Sequence, residues 1–521
     1  MAQDKSVFDS TSAAQVTGDE PPSGLQYASA DRSFFGHPRA LSTLFFTEMW
    51  ERFSYYGMRA LLILFMTASV ADGGLGFNTA RAGAVYGLFT AFAYMMALPG
   101  GWIADRLVGQ RRAVLVGGIL IALGNFSVAV DSMTTFYLGL GLIILGTGLL
   151  KPNVSAMVGE LYPEGGARRD AGFSIFYMGI NIGAFLAPLL AGFVGEKIDW
   201  HLGFACAGVG MTLGLIQYAL GGKYLGSAGL NPDTGDAPTL SRNRRNLVIG
   251  VGVLGMIVVG LYLAGVTVEQ VAPGTTVLIL SVTAAYFLYV LLFGGLTLIE
   301  KKRVGAIAVL FLSAAIFWSG FEQAGSSLNL VAAQLTNRVV LGWEVPASWL
   351  QSVNPLLIIA FAPVFAWLWV YLSSRKLEPS SPAKFASGLV LLGAGFAVMI
   401  VASVRSAQGV LVSPMWLVVT YFLHTAGELA LSPVGLSVVT KLAPHRMVGQ
   451  MMGIWFMASS LGNLIAGQIA GRIGAGEGAG SEISASATVT IFTVVTVFTV
   501  GYGVLLALFV KPARKLMAGV H

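Results

Sequence analysis

Fourteen runs of apolar residues, each long enough to cross a bilayer as a helix, follow one another along almost all of the 521-residue chain. A helical crossing needs about 20 apolar residues. Charged residues make up only 11% of the chain, against roughly 25% in a soluble domain. An ordinary soluble enzyme is therefore excluded, and the chain reads as an all-α membrane protein. The single cysteine, Cys206, offers neither an internal disulfide nor a cysteine metal site. The first 40 residues hold five acids against three bases and no apolar core, so they are not a secretory signal peptide. The first membrane helix is expected to stay in the mature protein.

The apolar runs place helices near residues 41–66, 79–104, 111–130, 134–162, 169–195, 201–224, 245–265, 275–298, 306–335, 346–374, 383–404, 413–443, 446–474 and 485–510. An even number of crossings puts both termini on one side. Of the 31 basic residues, 23, from Lys5 to Lys515, then fall on the side of the N-terminus, and five, Arg81, Lys197, Arg338, Arg405 and Arg472, fall opposite. Basic residues favour cytoplasmic loops, so both termini are expected in the cytoplasm. The formal charge of +6 is an orientation signal rather than a nucleic-acid surface, which would need a soluble basic domain.

An internal repeat sets the organisation. A shift of about 280 residues places Gly146 on Gly427, Pro152 on Pro433 and Pro163 on Pro444, and in the next run Met178 on Met457, Gly183 on Gly462 and Gly192 on Gly471. The two proline coincidences carry most of the weight. The reading is a cytoplasmic tail at 1–40, a six-helix bundle at 41–224, a linker with two extra crossings at 225–305, a second six-helix bundle at 306–511 and a tail at 512–521. Halves that each cross an even number of times are parallel repeats, an arrangement of transporters whose site lies between the halves near the midplane.

Charges inside these spans are costly and are functional hypotheses by default. In the first run, Glu48, Glu51, Arg52, Tyr55, Tyr56 and Arg59 share one face at 3.6 residues per turn. A stripe of ion pairs holding helices together is the plainer reading; a wet cavity wall is the other, and the six polar groups favour it. The opposite face, with Leu44, Phe46, Phe53, Leu61 and Leu62, is free to meet lipid or other helices. Lys151, Glu322 and Glu428 sit singly on later runs. Four buried acids face three cations, so one acid lacks a partner and would tend to hold a proton. A substrate carboxylate that occupies Arg59 or Lys151 would change which acid that is. His424, one turn before Glu428, reads first as a hydrogen-bonded core residue. Glu160 and Glu164, at the end of the fourth run, read as contacts of basic loop residues. Trp318, Trp455 and Phe456 read equally as cavity walls or as packing.

Four stretches carry a resemblance. GGWIADRLVGQRR resembles the signature of the major facilitator superfamily, matching at Gly101, Asp105, Arg106, Gly109, Arg111 and Arg112. EMWERFSYYGMR, from Glu48 to Arg59, is similar to the first-helix motif of the proton-dependent oligopeptide transporter family. FSIFYMGINIGAF, from Phe173, and GELALSPVGLS, from Gly427, resemble its fifth- and tenth-helix motifs. The resemblance implies a major facilitator fold of 14 transmembrane helices in a bacterial inner membrane. It also implies import of di- and tripeptides by alternating access, with the proton as coupling ion and no cofactor or metal.

Residue by residue, the resemblance implies that Tyr56, Arg59, Lys151 and Asn181 bind peptide, with Arg59 and Lys151 favouring its carboxylate. Glu428 would take the amino terminus, Asn354 would be a further polar contact, and Tyr55, Tyr94, Trp318 and Trp455 would surround the side chains. Glu48, Glu51, Arg52, Lys151 and Glu322 would couple the proton. Gly101, Asp105, Arg106, Arg111 and Arg112 would serve gating or structure, with Asp105 capping a helix or pairing with arginine. The second-helix histidine of animal members has no counterpart, since no histidine lies between His37 and His201. Nitrate transport, known in plant relatives, suits these acids less well than a zwitterion does. A drug/proton antiporter would not require the paired site, and a sensor would carry a soluble signalling domain. A zinc hydrolase or an ATP-driven pump would need H-E-x-x-H or a Walker A sequence, and neither is present.

Overall fold

A computed structural model describes residues 31–163, 166–230, 232, 234–474 and 482–517, with the side chains of 432–434, 436 and 445 left aside. Lys5, Glu164 and parts of both expected tails lie outside the described residues. The first half contains α1 (Arg39–Thr67), α2 (Thr79–Met95), α3 (Ala97–Ile103), α4 (Gln110–Val128), α5 (Met133–Glu160), α6 (Gly166–Lys197) and α7 (Trp200–Gly221). The inserted pair is α8 (Ala237–Leu263) and α9 (Val268–Phe293). The second half contains α10 (Leu298–Phe321), α11 (Ser327–Gln334), α12 (Val353–Ser374), α13 (Ser381–Ser406), α14 (Met415–Leu442), α15 (Val448–Ala470), α16 (Ala485–Leu508) and a short α17 (Val510–Leu516). Continuous crossings run Thr79–Val108, Leu298–Gln334 and Ala347–Ser374, so the helices make fourteen passes.

Eleven of these passes are long and apolar enough to cross a membrane by composition alone. Of the others, α1 and α15 are of similar length but more polar, and α14 is apolar over Met415–Leu431. Sequence boundaries hold within a few residues except at three starts. Helices expected from 245, 275 and 306 begin at Ala237, Val268 and Leu298. Polar first turns caused the difference. Asp236 and Thr297 accept from the amides of Thr239 and Glu300, and Thr267 begins a capping box, so each helix starts in water before its apolar run.

Within the first half α1 packs along α6 and α7, and α4 along α5 and α7; within the second, α13 packs along α14 and α16, and α10 along α15. The halves meet where α2 lies on α15 and where α6 lies on α12 and on the turn Ala347–Ser352. Of the inserted pair, α8 buries none of its residues, while α9 leans on α2 and α15. Its grip on α15 is polar: Gln468 Nε2 donates to Thr276 Oγ1 at 2.6 Å, and Tyr286 OH donates to Gln450 Oε1 at 2.7 Å.

The seam between the halves is tight at the face opposite the termini. Here a Cβ on Gly83 would strike the carbonyl oxygen of Gly467, and one on Gly467 would strike the backbone of Gly83 and Gly87. Farther along, Ser460 Oγ donates to the Ala91 carbonyl at 2.9 Å, and Asn329 Nδ2 to the Ala60 carbonyl at 2.8 Å. Glu196 closes the other side of the seam, its two oxygens accepting from the amides of Ala347 and Ser348 at 2.7 and 2.8 Å. On the terminal face α5 does not pack along α14. The halves thus meet most closely on the face opposite the termini.

Candidate functional site

The polar face of α1 is present as its spacing requires, but the helix is enclosed on nearly every side. Leu44, Phe53, Leu61 and Leu62 are buried and only Phe46 is exposed. Of the two partners expected for the apolar face, lipid or other helices, α6 and α7 supply the second. Near the terminal end, Arg52 Nε donates to Glu48 Oε1 at 2.9 Å and lies 2.6 Å from Glu51 Oε2. One buried cation thus serves two buried acids, and Glu48 Oε2 and Glu51 Oε1 are left without hydrogen bonds.

Two turns on, Arg59 crosses the seam. Its Nη2 lies 2.6 Å from Glu322 Oε2, at the 3₁₀ turn Glu322–Gly325 where α10 breaks before α11. Its Nε donates to Tyr86 OH at 2.6 Å. Tyr86 was missed by sequence reasoning. The available signal was its spacing eight residues before Tyr94, which places both rings on one face of the second crossing.

The remaining two charges stand apart from each other's type. Lys151 makes no ion pair with a described residue; its ammonium sits 4.0 Å from the centroid of the Tyr94 ring. Across the seam, Glu428 pairs with no cation among the described residues. Its Oε2 accepts from Asn354 Nδ2 at 3.2 Å, and the same amide donates to Thr425 Oγ1 at 2.9 Å. Lys151 is half-buried and Glu428 is 9% exposed. A positive pole on the first half and a negative pole on the second each lack a direct ion pair among the described residues.

The other expected residues divide between wall and core. Tyr55 is buried, stacked on Phe89 and edge-on to half-buried Tyr56. Asn181 is buried and donates to the Tyr177 carbonyl at 2.9 Å, while Tyr177 itself is exposed. Trp318 is half-buried beside Phe317 and Phe321. The Trp455 indole is buried between Gly435 and Phe385, inside the second half. His424 turns into the same bundle, with Nε2 3.1 Å from the Leu392 carbonyl and its ring against Phe396, so it does not join Glu428.

At the turn after the second crossing, Gly109 adopts φ +84°, a backbone open to glycine alone without strain. Arg111 then holds the segment after α7, through Nε to the Ala228 carbonyl at 2.7 Å and Nη2 to that of Gly226 at 2.5 Å. Glu160 accepts from the Gly229 amide of the same segment at 2.8 Å and lies within electrostatic reach of Arg111, one of the expected basic residues. Gly101 faces Pro152, and Arg106 and Arg112 are exposed. Asp105 is also exposed and neither caps a helix nor pairs with an arginine among the described residues. The π turn Ala104–Val108 that carries it projects it into water at the terminal face.

Comparison with known proteins follows the same lines. The profile of the PTR2 domain, described as the POT family, matches residues 111–485. The peptide transporter YePEPT of Yersinia enterocolitica subsp. palearctica is 44% identical over 93% of this chain and 96% of its own. A di-/tripeptide transporter of Lactococcus lactis subsp. cremoris is 36% identical over 94% of this chain and 99% of its own. Among solved structures, a peptide transporter POT in complex with sulfate superposes with a TM-score of 0.88 at 41% identity, covering 95% of this chain and 99% of its own. A POT family transporter in complex with 5-aminolevulinic acid gives 0.85 at 32% identity, with the same coverage. A multi-pass helical chain, two halves meeting along a seam, and charges held between them thus come together with sequence kinship over nearly the whole length: this is a membrane transporter, not an enzyme, and it belongs to the POT family.

Proposed function

We propose that the protein is a proton-coupled symporter that imports di- and tripeptides across a bacterial inner membrane, with both termini in the cytoplasm. The observation that carries this reading is the pair of unpartnered poles, Lys151 on the first half and Glu428 on the second. A short peptide is a zwitterion, and burying its ends is favourable only where each meets an opposite charge. Its carboxylate goes to Lys151 and Arg59, its amino terminus to Glu428 and Asn354. Tyr56, Tyr94, Asn181 and Trp318 supply contacts to the backbone and side chains, and the Tyr55 and Trp455 rings back them. Relatives named for peptides, and a neighbour that holds an amino acid with a free carboxylate, support the same ligand class.

The Arg59–Glu322 pair supplies a route by which a proton is linked. Arg59 is neutralised by Glu322. When a substrate carboxylate takes Arg59, Glu322 loses its counter-ion and its uncompensated charge is relieved by a proton. The cluster of Glu48, Glu51 and Arg52 holds one more acid than cation, and Lys151 balances it when free. Peptide on Lys151 therefore favours a proton there as well; the titration belongs to the network. No cofactor or metal takes part.

Uptake of labelled dialanine into proteoliposomes tests the reading. An inward proton gradient should drive accumulation that an uncoupler abolishes. Accumulation that survives the uncoupler, or no uptake, rejects it.

A further inference from the structure

We propose that Tyr86 is a positioning residue for substrate carboxylates, acting through Arg59; the inference rests on the peptide reading above and names a part of that site. Tyr86 is fully buried on α2, and the phenol oxygen accepts the Nε–H of Arg59 at 2.6 Å. Nη2 of the same guanidinium is held by Glu322 at 2.6 Å. Two fixed nitrogens define the plane of a guanidinium, because the group is rigid and flat. Nη1 makes no hydrogen bond to a described residue, so it is the donor left for a ligand.

Glu322 alone does not fix that plane. When a carboxylate arrives and Glu322 is protonated, the Nη2 contact weakens. The Nε contact to Tyr86 is neutral and independent of that proton, so it keeps the guanidinium aimed through the exchange. Without it, Arg59 retains its charge but loses its orientation, and the bidentate geometry that makes arginine selective for carboxylates is lost.

The backbone is built to allow this contact. A Cβ on Gly325, in the turn that follows Glu322, would overlap the Tyr86 hydroxyl and stand 2.7 Å from Arg59 Nε. Glycine at that position lets the second half close over the Arg59–Tyr86 pair. Substituting either Tyr86 or Gly325 thus disturbs the same hydrogen bond from opposite sides of the seam.

The test compares dialanine with its C-terminal amide as competitors of labelled peptide, for wild type, Tyr86→Phe and Gly325→Ala. Phenylalanine keeps the ring packing and removes only the acceptor. Loss of one hydrogen bond to a charged group corresponds to roughly tenfold in affinity. The preference for acid over amide should fall about tenfold in Tyr86→Phe, and in the same direction in Gly325→Ala. In Tyr86→Phe the loss should fall on the KM for dialanine more than on turnover at saturation, as for lost uniform binding. An equal loss for acid and amide, or an unchanged ratio in Tyr86→Phe, overturns the proposal while leaving the peptide reading intact. Should wild type bind neither ligand, the peptide reading fails and this role fails with it.

Discussion

At the scale of single residues, the two poles make separable predictions. Glu428 holds no cation and is oriented by Asn354, so Glu428→Gln should weaken free dialanine by roughly tenfold or more while leaving N-acetylated dialanine nearly unchanged. Competition against labelled peptide checks it; equal losses for both ligands would assign Glu428 to structure. A second prediction concerns His37, just before α1, whose Nδ1 lies 2.8 Å from Tyr162 OH. Burial, and then the charge of Arg168, hold its imidazole below the usual histidine range. Neutral His37 therefore supports the fold above the ordinary histidine value of about 6.5, and that support is lost as pH falls through the lower folded value. Thermal melts of purified protein should lose stability as the pH is taken down through that range, and His37→Gln should flatten the slope. Charges were the most legible residues in the sequence, because hydrocarbon makes each one costly. Tyr86 was not legible, because a tyrosine in an apolar helix is unremarkable until its hydroxyl is seen on Arg59.

Elements were legible in number and type, since an apolar run of spanning length has one cheap structure in lipid. Their breaks were not. The turn Glu322–Gly325 lies inside a run that reads as one helix, and only the seam shows why α10 must stop there: Glu322 and Gly325 meet Arg59 and Tyr86 across it. The turn Ala347–Ser352 was equally silent. Its first amides are received by Glu196 from the other half, an acid on the positive end of a helical turn. Arg338 bonds the Val345 carbonyl at 2.7 Å and pairs with Glu344, which tethers the hairpin leading into that turn. Glu196→Gln should cost this clasp about 1–2 kcal/mol. Hydrogen–deuterium exchange reads it directly. The amides of Ala347 and Ser348 should exchange roughly 5- to 30-fold faster, with no change in peptides from α13; unchanged protection at those amides would show that Glu196 does not hold the turn.

For the molecule as a whole, alternating access requires the seam opposite the termini to part and the terminal half to close. The contacts that must break include backbone against backbone at Gly83, Gly87 and Gly467, the bonds of Ser460 and Asn329 to the Ala91 and Ala60 carbonyls, the Glu196 clasp, and the Arg59–Glu322 pair. Only the last is exposed to competition by substrate, so it links occupancy of the site to the seam. The glycine contact decides how tightly that seam can shut, because side chains there would hold the helices apart. Gly467→Leu places a side chain where the Gly83 carbonyl and the Gly87 backbone already stand. Overpacking of this kind typically costs about 1–3 kcal/mol, which moves a two-state ratio by roughly 5- to 150-fold. Spin labels at the exposed positions Ile198 and Val410, one on each half, report the opening. Wild type without substrate should give one short distance, and Gly467→Leu should add or convert to a longer one. Uptake should fall in the same variant, since a seam that cannot close on the side opposite the termini cannot hold a gradient-driven cycle. A single short distance in Gly467→Leu would show that the glycine contact does not set the closed state, and would move that role to the Glu196 clasp and the Arg59–Glu322 pair.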